Sequence, residues 1–211
     1  MQDVKLDSNF AYFLGVIAGD GYVGKNHIEV KTSDFKFLTD VYVPLVKKLF
    51  GINPRLMKES GGVNAYRVYF NSKAVFESLC KLNLKSPKTF TVCMPEIVKK
   101  KMHFAAAFVR GVFDTDGCIY TRKNKHTINY PCITLNSRSS KLIGDVTLIL
   151  HKLNLRAHMT QSLDKGKPRY MVRLYGFEQT ALFMSAVGFL NPYKAQKASR
   201  AIVEGPLRAG S

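Results

Sequence analysis

Two aspartates, Asp20 and Asp116, occupy the same place in two similar stretches of this 211-residue sequence. Each precedes a glycine at the end of a short apolar run, Phe13–Gly21 in the first copy and Val109–Gly117 in the second. The runs predict helices whose closing glycine lies just past the helix end. A carboxylate there faces the negative end of the helix dipole, which is disfavoured by roughly 0.3 to 1 kcal/mol. Ordinary Asp-Gly turns are the alternative interpretation, but the repetition favours a chemical role.

Small residues within these runs predict that the two helices touch. Gly15 and Gly19 are four residues apart, as are Gly111 and Thr115, so each pair shares one helix face. Two such faces can approach closely and would bring the two aspartates together. Neighbouring carboxylates repel unless a cation lies between them. A divalent metal such as Mg²⁺, when it is bound next to a phosphate group, lowers the pKa of a water molecule on the metal. The pair of aspartates therefore predicts phosphodiester hydrolysis.

The charge of the chain favours a polyanionic partner. It has 32 Lys and Arg against 15 Asp and Glu, a net charge of +17 and a pI near 9.8, so nucleic acid or an anionic membrane surface is expected. No apolar run reaches the ~20 residues of a spanning helix, and the N-terminus lacks signal-peptide features. We therefore expect no membrane association and a soluble protein that is cytoplasmic, in a prokaryote, or organellar, but not secreted.

The four cysteines show no metal-binding or Cys-x-x-Cys spacing, which predicts reduced, mostly packed thiols. Three histidines, His27, His126 and His151, likewise lack a second ligand at metal-binding spacing and are expected to be ordinary surface or core residues.

The pattern of apolar residues predicts an α+β fold. After the first motif helix, capped by Asp7 or Ser8, we expect a turn over residues 22–26 and a strand over residues 27–32. A helix capped by Ser33 then runs to about residue 50 with a kink or early break at Pro44. A hairpin over residues 54–70 and a short helix over residues 72–82 complete the first half.

This order of elements recurs after Gly117, which indicates a tandem duplication. Three sets of segments align: 30–33 with 135–138, 66–70 with 170–174, and 84–88 with 190–194. The prediction is two αββαββα halves with two saddle-like antiparallel sheets, flanked by helices, and the motif helices packed at the interface. The expected division is a first half of residues 1–88, a linker of residues 89–103, a second half of residues 104–203 and a tail of residues 204–211.

Both aspartate-bearing segments resemble the LAGLIDADG motif of homing endonucleases, in its single-chain form with two motifs. They match the glycine within the motif, its last acid and its closing glycine: Gly15 and Gly111, Asp20 and Asp116, Gly21 and Gly117. They depart at the motif's first acid, where Ala18 stands in the first copy and Asp114 in the second. That position varies in the family. Asp114 lies on the far side of its helix turn, so we expect a salt-bridge or capping role.

The resemblance implies a metal site and groups that assist it. The metal is expected at Asp20 and Asp116, with Gly19 and Thr115 beside them. Mg²⁺ is the expected ion, Mn²⁺ should substitute, and Ca²⁺ should bind without efficient cleavage. Lys88 and Lys194 would stabilise charge near the scissile phosphate, and Lys31 and Asn136 would orient solvent. Ordinary surface lysines are the alternative.

The polar strand faces are predicted to bind double-stranded DNA, with Arg and Asn reading base edges and Lys contacting phosphate. The candidate contacts are Lys25, Lys31, Arg67, Tyr69, Lys123, Lys125, Asn136, Arg138, Arg156, His158, Arg169 and Arg173.

The leading hypothesis is a monomeric, intron-encoded, site-specific DNA endonuclease. An intein origin is not favoured, because the sequence has neither an N-terminal splicing nucleophile nor a closing His-Asn. Two alternatives keep the fold without the cut: a DNA-binding regulator, or an RNA splicing maturase acting on intron RNA. A basic RNA-binding structural protein would explain the charge but not the duplicated Asp-Gly helices.

Overall fold

The computed structural model describes residues 6–60, 64–123 and 127–206. Its two antiparallel four-stranded sheets have the same strand order, β1-β2-β4-β3 and β5-β6-β8-β7. The first half consists of α1 (Ser8–Ala18), β1 (Gly21–Gly24), β2 (His27–Thr32), α2 (Phe35–Phe37), a π-helical segment (Leu38–Tyr42), α3 (Val43–Phe50), β3 (Arg55–Lys58), β4 (Tyr66–Asn71) and α4 (Lys73–Lys81). The remainder consists of α5 (Glu96–Lys99), α6 (Met102–Thr115), β5 (Gly117–Arg122), β6 (Tyr130–Ser137), α7 (Ser140–Lys152), β7 (His158–Asp164), β8 (Lys167–Tyr175), α8 (Phe177–Ala186) and α9 (Pro192–Glu204). The predicted α+β fold of two repeated halves is confirmed.

The duplication extends to the register of the sheets. In the first sheet Gly21 pairs with Val30, which pairs in turn with Val68. In the second sheet Gly117 pairs with Leu135, which pairs with Val172. Alternate residues of β2, including Val30, are buried, whereas β6 is buried over residues 131–135, including Leu135. Equivalent positions of the two halves can therefore be compared residue by residue.

The two motif helices, α1 and α6, pack against each other at the centre of the molecule. Their backbones touch at the predicted glycines. A Cβ atom added at Gly15 would lie 2.1 Å from the carbonyl oxygen of Phe108, and one added at Gly111 would lie 2.3 Å from that of Tyr12. No side chain fits at either position, so glycine is what lets the two helix ends meet.

Three local predictions are corrected by the structure. Gly21–Gly24 forms strand β1 rather than part of a turn, and the turn is limited to Lys25 and Asn26, whose φ is 58°. Asp34, not Ser33, caps the next helix, because its side chain accepts the backbone N–H of Phe37. The helix does not break at Pro44. A π-helical turn precedes the proline, which lies in the first turn of α3, where its missing N–H costs little.

The connection between the halves is pinned to the second half. The N–H of Met94 donates to Asp145, the hydroxyl of Ser139 donates to the carbonyl of Val92, and Lys99 forms an ion pair of 2.8 Å with Asp145. The predicted division of the chain into halves, linker and tail stays a prediction. No helix in the described part of the chain is both long and apolar enough to span a membrane.

Candidate active site

Asp20 and Asp116 meet where α1 and α6 end. Asp20 lies two residues past the last residue of α1, and Asp116 directly follows α6, so both acids stand just beyond the helices rather than in the last turn. Their carboxyl groups share a hydrogen bond. A Cβ atom at Gly19 would lie 2.1 Å from Oγ1 of Thr115 and 3.2 Å from Oδ2 of Asp116. The close approach of Gly19 to Thr115 therefore keeps the carboxyl groups of Asp20 and Asp116 next to each other.

The surroundings of this pair disfavour its full ionisation. Removal from water, the charge of Asp20 and the shared hydrogen bond together raise the pKa of Asp116 to about 7, against the charges of Lys194 and Lys88. Removal from water also raises the pKa of Asp20, against the shared hydrogen bond and the charges of Lys194 and Lys88. Two carboxylates this close do not both ionise readily without a cation between them. The sequence prediction of a repelling acid pair is thus matched by the geometry.

The two repeat-equivalent lysines approach the acids in different ways. The ammonium group of Lys88 donates to the carbonyl of Gly21, and its side chain lines a cavity of about 380 Å³ with Tyr22, Ser86 and Thr89. The ammonium group of Lys194 donates to three carbonyls at the end of α6, those of Phe113, Asp114 and Thr115, at 2.9, 2.8 and 2.9 Å. Burial lowers the pKa of both lysines, and the nearby carboxylates oppose that shift.

Asp114 is only 2% exposed and has a role within the fold. Its Oδ2 accepts the hydroxyl of Tyr12 at 2.7 Å and the N–H of Leu190 at 3.0 Å. Burial raises the pKa of Asp114 to about 6, although these hydrogen bonds oppose the shift. The carboxyl thus ties α6 to α1 and to the segment before α9. Tyr12 and Leu190 were not predicted, because nothing in the sequence marks residues so distant as partners.

The arrangement fits a divalent metal that also binds phosphate. Within the described residues, no three His, Cys, Asp or Glu side chains cluster as a complete protein cage. Asp20 and Asp116 would hold the ion, and Mg²⁺ commonly takes one or two carboxylates together with water and substrate phosphate. Backbone carbonyls next to the acids are further oxygen donors. The carbonyl oxygen of Thr115 accepts a hydrogen bond from Lys194. Among the described residues, no hydrogen bond to the carbonyl oxygen of Gly19 is seen.

Lys31 and Asn136 lie on the outer faces of the sheets, and their roles stay predictions. Lys31 donates to Oε2 of Glu59 at 2.7 Å, and the charges that act on the acid pair are those of Lys88 and Lys194. Oδ1 of Asn136 is buried, and no hydrogen-bond partner for it occurs in the part of the chain that the structure describes.

The candidate DNA contacts divide into those on the outer strand faces and those elsewhere. Lys25 lies in the turn after β1 and Lys123 follows β5, while Lys125 lies outside the described residues. The residues on the outer faces are Lys31, Arg67, Tyr69, Asn136, His158, Arg169 and Arg173.

Two of the predicted arginines, Arg138 and Arg156, have contacts within the protein, and their DNA-binding role stays a prediction. The guanidinium of Arg138 donates to the carbonyls of Asp164, Lys167 and Pro168 and pairs with the carboxylate of Asp164 at 2.6 Å, so it fixes the β7–β8 turn. Arg156 precedes β7 and pairs with Glu178. Arg122 lies on the outer face of the second sheet, where its guanidinium is 4.7 Å from the ring centre of Tyr175.

Two repeated halves, closely packed motif helices and paired acids at the helix ends define a single-chain protein of the LAGLIDADG type. A family model described as the LAGLIDADG-like domain matches residues 7–82 and 103–188, which is most of the sequence. The chain belongs to this family.

Curated relatives share this region within much longer proteins. The chain is 28% identical over 192 residues to the replicative DNA helicase DnaB of Synechocystis sp., which covers 86% of the chain and 22% of the relative. It is 27% identical over 191 residues to the replication factor C small subunit of Thermococcus kodakarensis, covering 89% and 20%. The chain therefore spans about a fifth of these relatives, and the match does not carry over their activities.

Solved structures with the same fold include a homing endonuclease. The chain matches I-DmoI bound to DNA and Mn with a TM-score of 0.59 and 17% identity, over 86% of this chain and 96% of that one. It matches full-length DUF199/WhiA from Thermatoga maritima with a TM-score of 0.61 and 15% identity, over 97% and 62%. At these identities the likeness shows the fold alone, and a fold shared with WhiA does not by itself establish strand cleavage.

Proposed function

We propose that this protein is a site-specific double-strand DNA endonuclease that uses a divalent metal held by Asp20 and Asp116. The observation that carries the proposal is the contact between these acids, because two helices are packed backbone to backbone to create it. The arrangement disfavours full ionisation of the pair, and an active site that binds a cation and phosphate supplies the missing counter-charge.

The residues around the pair suit phosphodiester hydrolysis. A bound divalent ion lowers the pKa of its water and offsets the charge that builds on phosphate oxygens. The carboxylates of Asp20 and Asp116 would hold that ion. Lys88 places a cation beside the pair, where it would stabilise the negative charge of a phosphate. Each acid is expected to serve mainly one strand.

The protein is expected to act as a monomer on double-stranded DNA, since both acids come from one chain. I-DmoI, which shares the fold, has been seen in complex with DNA and with Mn or Ca, and its variants with Mg or Mn. These structures support a divalent cofactor without choosing the ion. Intron homing is the proposed setting.

The test is cleavage by Asp20→Asn and Asp116→Asn variants. A target is first selected from a duplex library with Mg²⁺ and then cloned into a supercoiled plasmid. The single variants should fold, still bind the target and leave at most slow nicking, because Asn keeps the shape but removes charge that holds the metal. The double variant should leave no cleavage. Glu77→Gln, on exposed helix α4, is the matched control for loss of one negative charge and should cleave normally.

A DNA-binding protein that does not cut is the second candidate, favoured by the net charge of +17, which supports DNA binding without requiring cleavage. Wild-type protein that binds a selected duplex but leaves plasmid intact with Mg²⁺ or Mn²⁺ would support this candidate. Near wild-type linearisation by the double variant would instead show that the acids are structural.

A further inference from the structure

Two cations on the outer face of the first sheet, Lys31 and Arg67, are held by the protein's own carboxylates. Glu59 bonds to Lys31 at 2.7 Å and lies 3.2 Å from Nε of Arg67. Glu29 lies 3.8 Å from the same guanidinium and 3.3 Å from Nε2 of His27. Lys31 and Arg67 are direct cross-strand partners on β2 and β4. The two carboxylates therefore bridge Lys31 and Arg67, and Glu29 also contacts the ring of His27.

The second sheet has no such bridge at the equivalent positions. By register, Thr134 stands at the position of Glu29, and Ser162 stands at that of Glu59. The arginines of this outer face are Arg122, Arg169 and Arg173. Among the described residues, none of the three lies within ion-pair distance of a carboxylate.

This difference changes what each face offers to a duplex. Phosphate contacts by free cations supply affinity that does not depend on sequence and that falls with salt. The ion pairs that Lys31 and Arg67 form with carboxylates must break before these two side chains can neutralise phosphate. A carboxylate near the sugar-phosphate backbone of DNA also repels the phosphate groups. A carboxylate in the major groove can instead accept a hydrogen bond from the amino group of cytosine.

We propose that Glu29 and Glu59 are specificity-determining residues of the first half. They hold Lys31 and Arg67 in ion pairs, so that these two cations contribute little to non-specific phosphate binding and Arg55 is left as the outer-face cation of β3 without an ion pair among the described residues. The second outer face supplies most of the phosphate-driven affinity. This inference rests on the proposed DNA-binding function. It adds that the two halves contribute differently to DNA binding, the first to specificity and the second to phosphate-driven affinity.

The test compares Glu59→Gln with the reciprocal Ser162→Glu. Each protein is titrated with a random-sequence 30-base-pair duplex and with the selected target at several salt concentrations, in Ca²⁺ to limit cleavage. Glu59→Gln should bind the random duplex about threefold to tenfold more tightly and steepen the salt slope by about 0.9 for each cation released. Its preference for the target over the random duplex should fall. Ser162→Glu should weaken binding to both duplexes.

Controls separate this inference from changes in fold or net charge. Both substitutions are on the partly or fully exposed edge strand region, and circular dichroism should show an intact fold. Glu77→Gln removes the same charge from α4 and should leave the salt slope unchanged. Glu29→Gln is the second test of the network and should act in the direction of Glu59→Gln.

An unchanged or shallower salt slope for Glu59→Gln, with undiminished preference for the target, would overturn the inference while leaving DNA binding intact. Failure of the proposed function looks different, because wild-type protein would then bind neither duplex at low salt, and this inference would fall with it.

Discussion

The ends of the two motif helices place equivalent acids but are supported differently. At the end of α6, Lys194 donates to three carbonyls and the buried Asp114 bonds to Tyr12 and Leu190. At the end of α1, Ala18 replaces Asp114, and the described contacts of Lys88 include one hydrogen bond, to the carbonyl beyond the helix.

The comparison shows that two residues at equivalent positions of a duplicated sequence can have different roles. All three ammonium protons of Lys194 are used by backbone carbonyls, an arrangement that caps a helix and favours its dipole. Lys88 is 9% exposed and lines a cavity with Tyr22 and Ser86, and its hydrogen bond among the described residues goes to the single carbonyl of Gly21. We infer that Lys88 is the better placed of the two to meet a phosphate and that Lys194 mainly maintains the end of α6.

Breaking the contact that both helix ends share should have the largest effect. Gly15→Ala and Gly111→Ala place a methyl group 2.1 and 2.3 Å from backbone oxygens of the opposing helix. Backbone cannot rotate away as a side chain can, so we expect each change to lower the free energy of unfolding by about 3 kcal/mol or more. Urea denaturation measures this, and cleavage should be lost together with the fold.

The matched control is Gly144→Ala in the middle of α7, where no atom lies within 4 Å of the added Cβ. This change should raise the free energy of unfolding by about 0.5 to 1 kcal/mol, because alanine favours a helix. If Gly15→Ala were as stable as Gly144→Ala, the close approach of α1 and α6 would be wrong.

Exchanging each lysine for methionine sharpens the comparison directly. Lys194→Met leaves the end carbonyls of α6 without their donor, so we expect a loss of about 1 to 3 kcal/mol in the free energy of unfolding. Lys88→Met should cost less stability but reduce the cleavage rate of folded enzyme by about 100-fold, since it removes charge stabilisation near the phosphate.

Both lysine variants are measured by urea denaturation and by plasmid cleavage at a temperature where each remains folded. The comparison between the lysines fails if Lys194→Met has the larger effect on cleavage and Lys88→Met the larger effect on stability.

The smallest expected effect is a pH dependence that comes from Asp114 and has no counterpart at Ala18. The pKa of Asp114 is about 6 in the folded protein, above its value of about 3.9 in an unfolded chain. Between these values the folded state binds more protons, so this group makes stability fall as pH rises from about 4 to about 6. Relative to wild type, Asp114→Asn should therefore gain stability across that window and change little above it.

Urea denaturation with a metal chelator at several pH values measures the difference between the two proteins. Tyr12→Phe is the companion variant. It removes a hydrogen bond that lowers the pKa of Asp114, so its window should extend to higher pH. A difference between Asp114→Asn and wild type that is independent of pH would exclude this origin.

Much of the fold could be predicted because its signals are local and repeated. The alternating residues of β2 and the capped apolar run of α1 set those elements without distant contacts. Gly21–Gly24 was missed because a strand of four residues with a glycine at each end has the composition of a turn. Its pairing with β2 outweighed that local preference.

The amino-acid pattern alone identified the duplication, the small residues that let two helices touch, and the acids Asp20 and Asp116. The folded protein was needed to find the partners of Asp114 and Lys194, the use of Arg138 to fix a turn, and the pairing of Lys31 with Glu59. The hydrogen bond from Tyr12 to Asp114 joins residues 102 positions apart. Such contacts depend on which helices and strands pack together and in what register. The spacing of residue types along a chain does not show how far a side chain reaches across the interface between two packed elements.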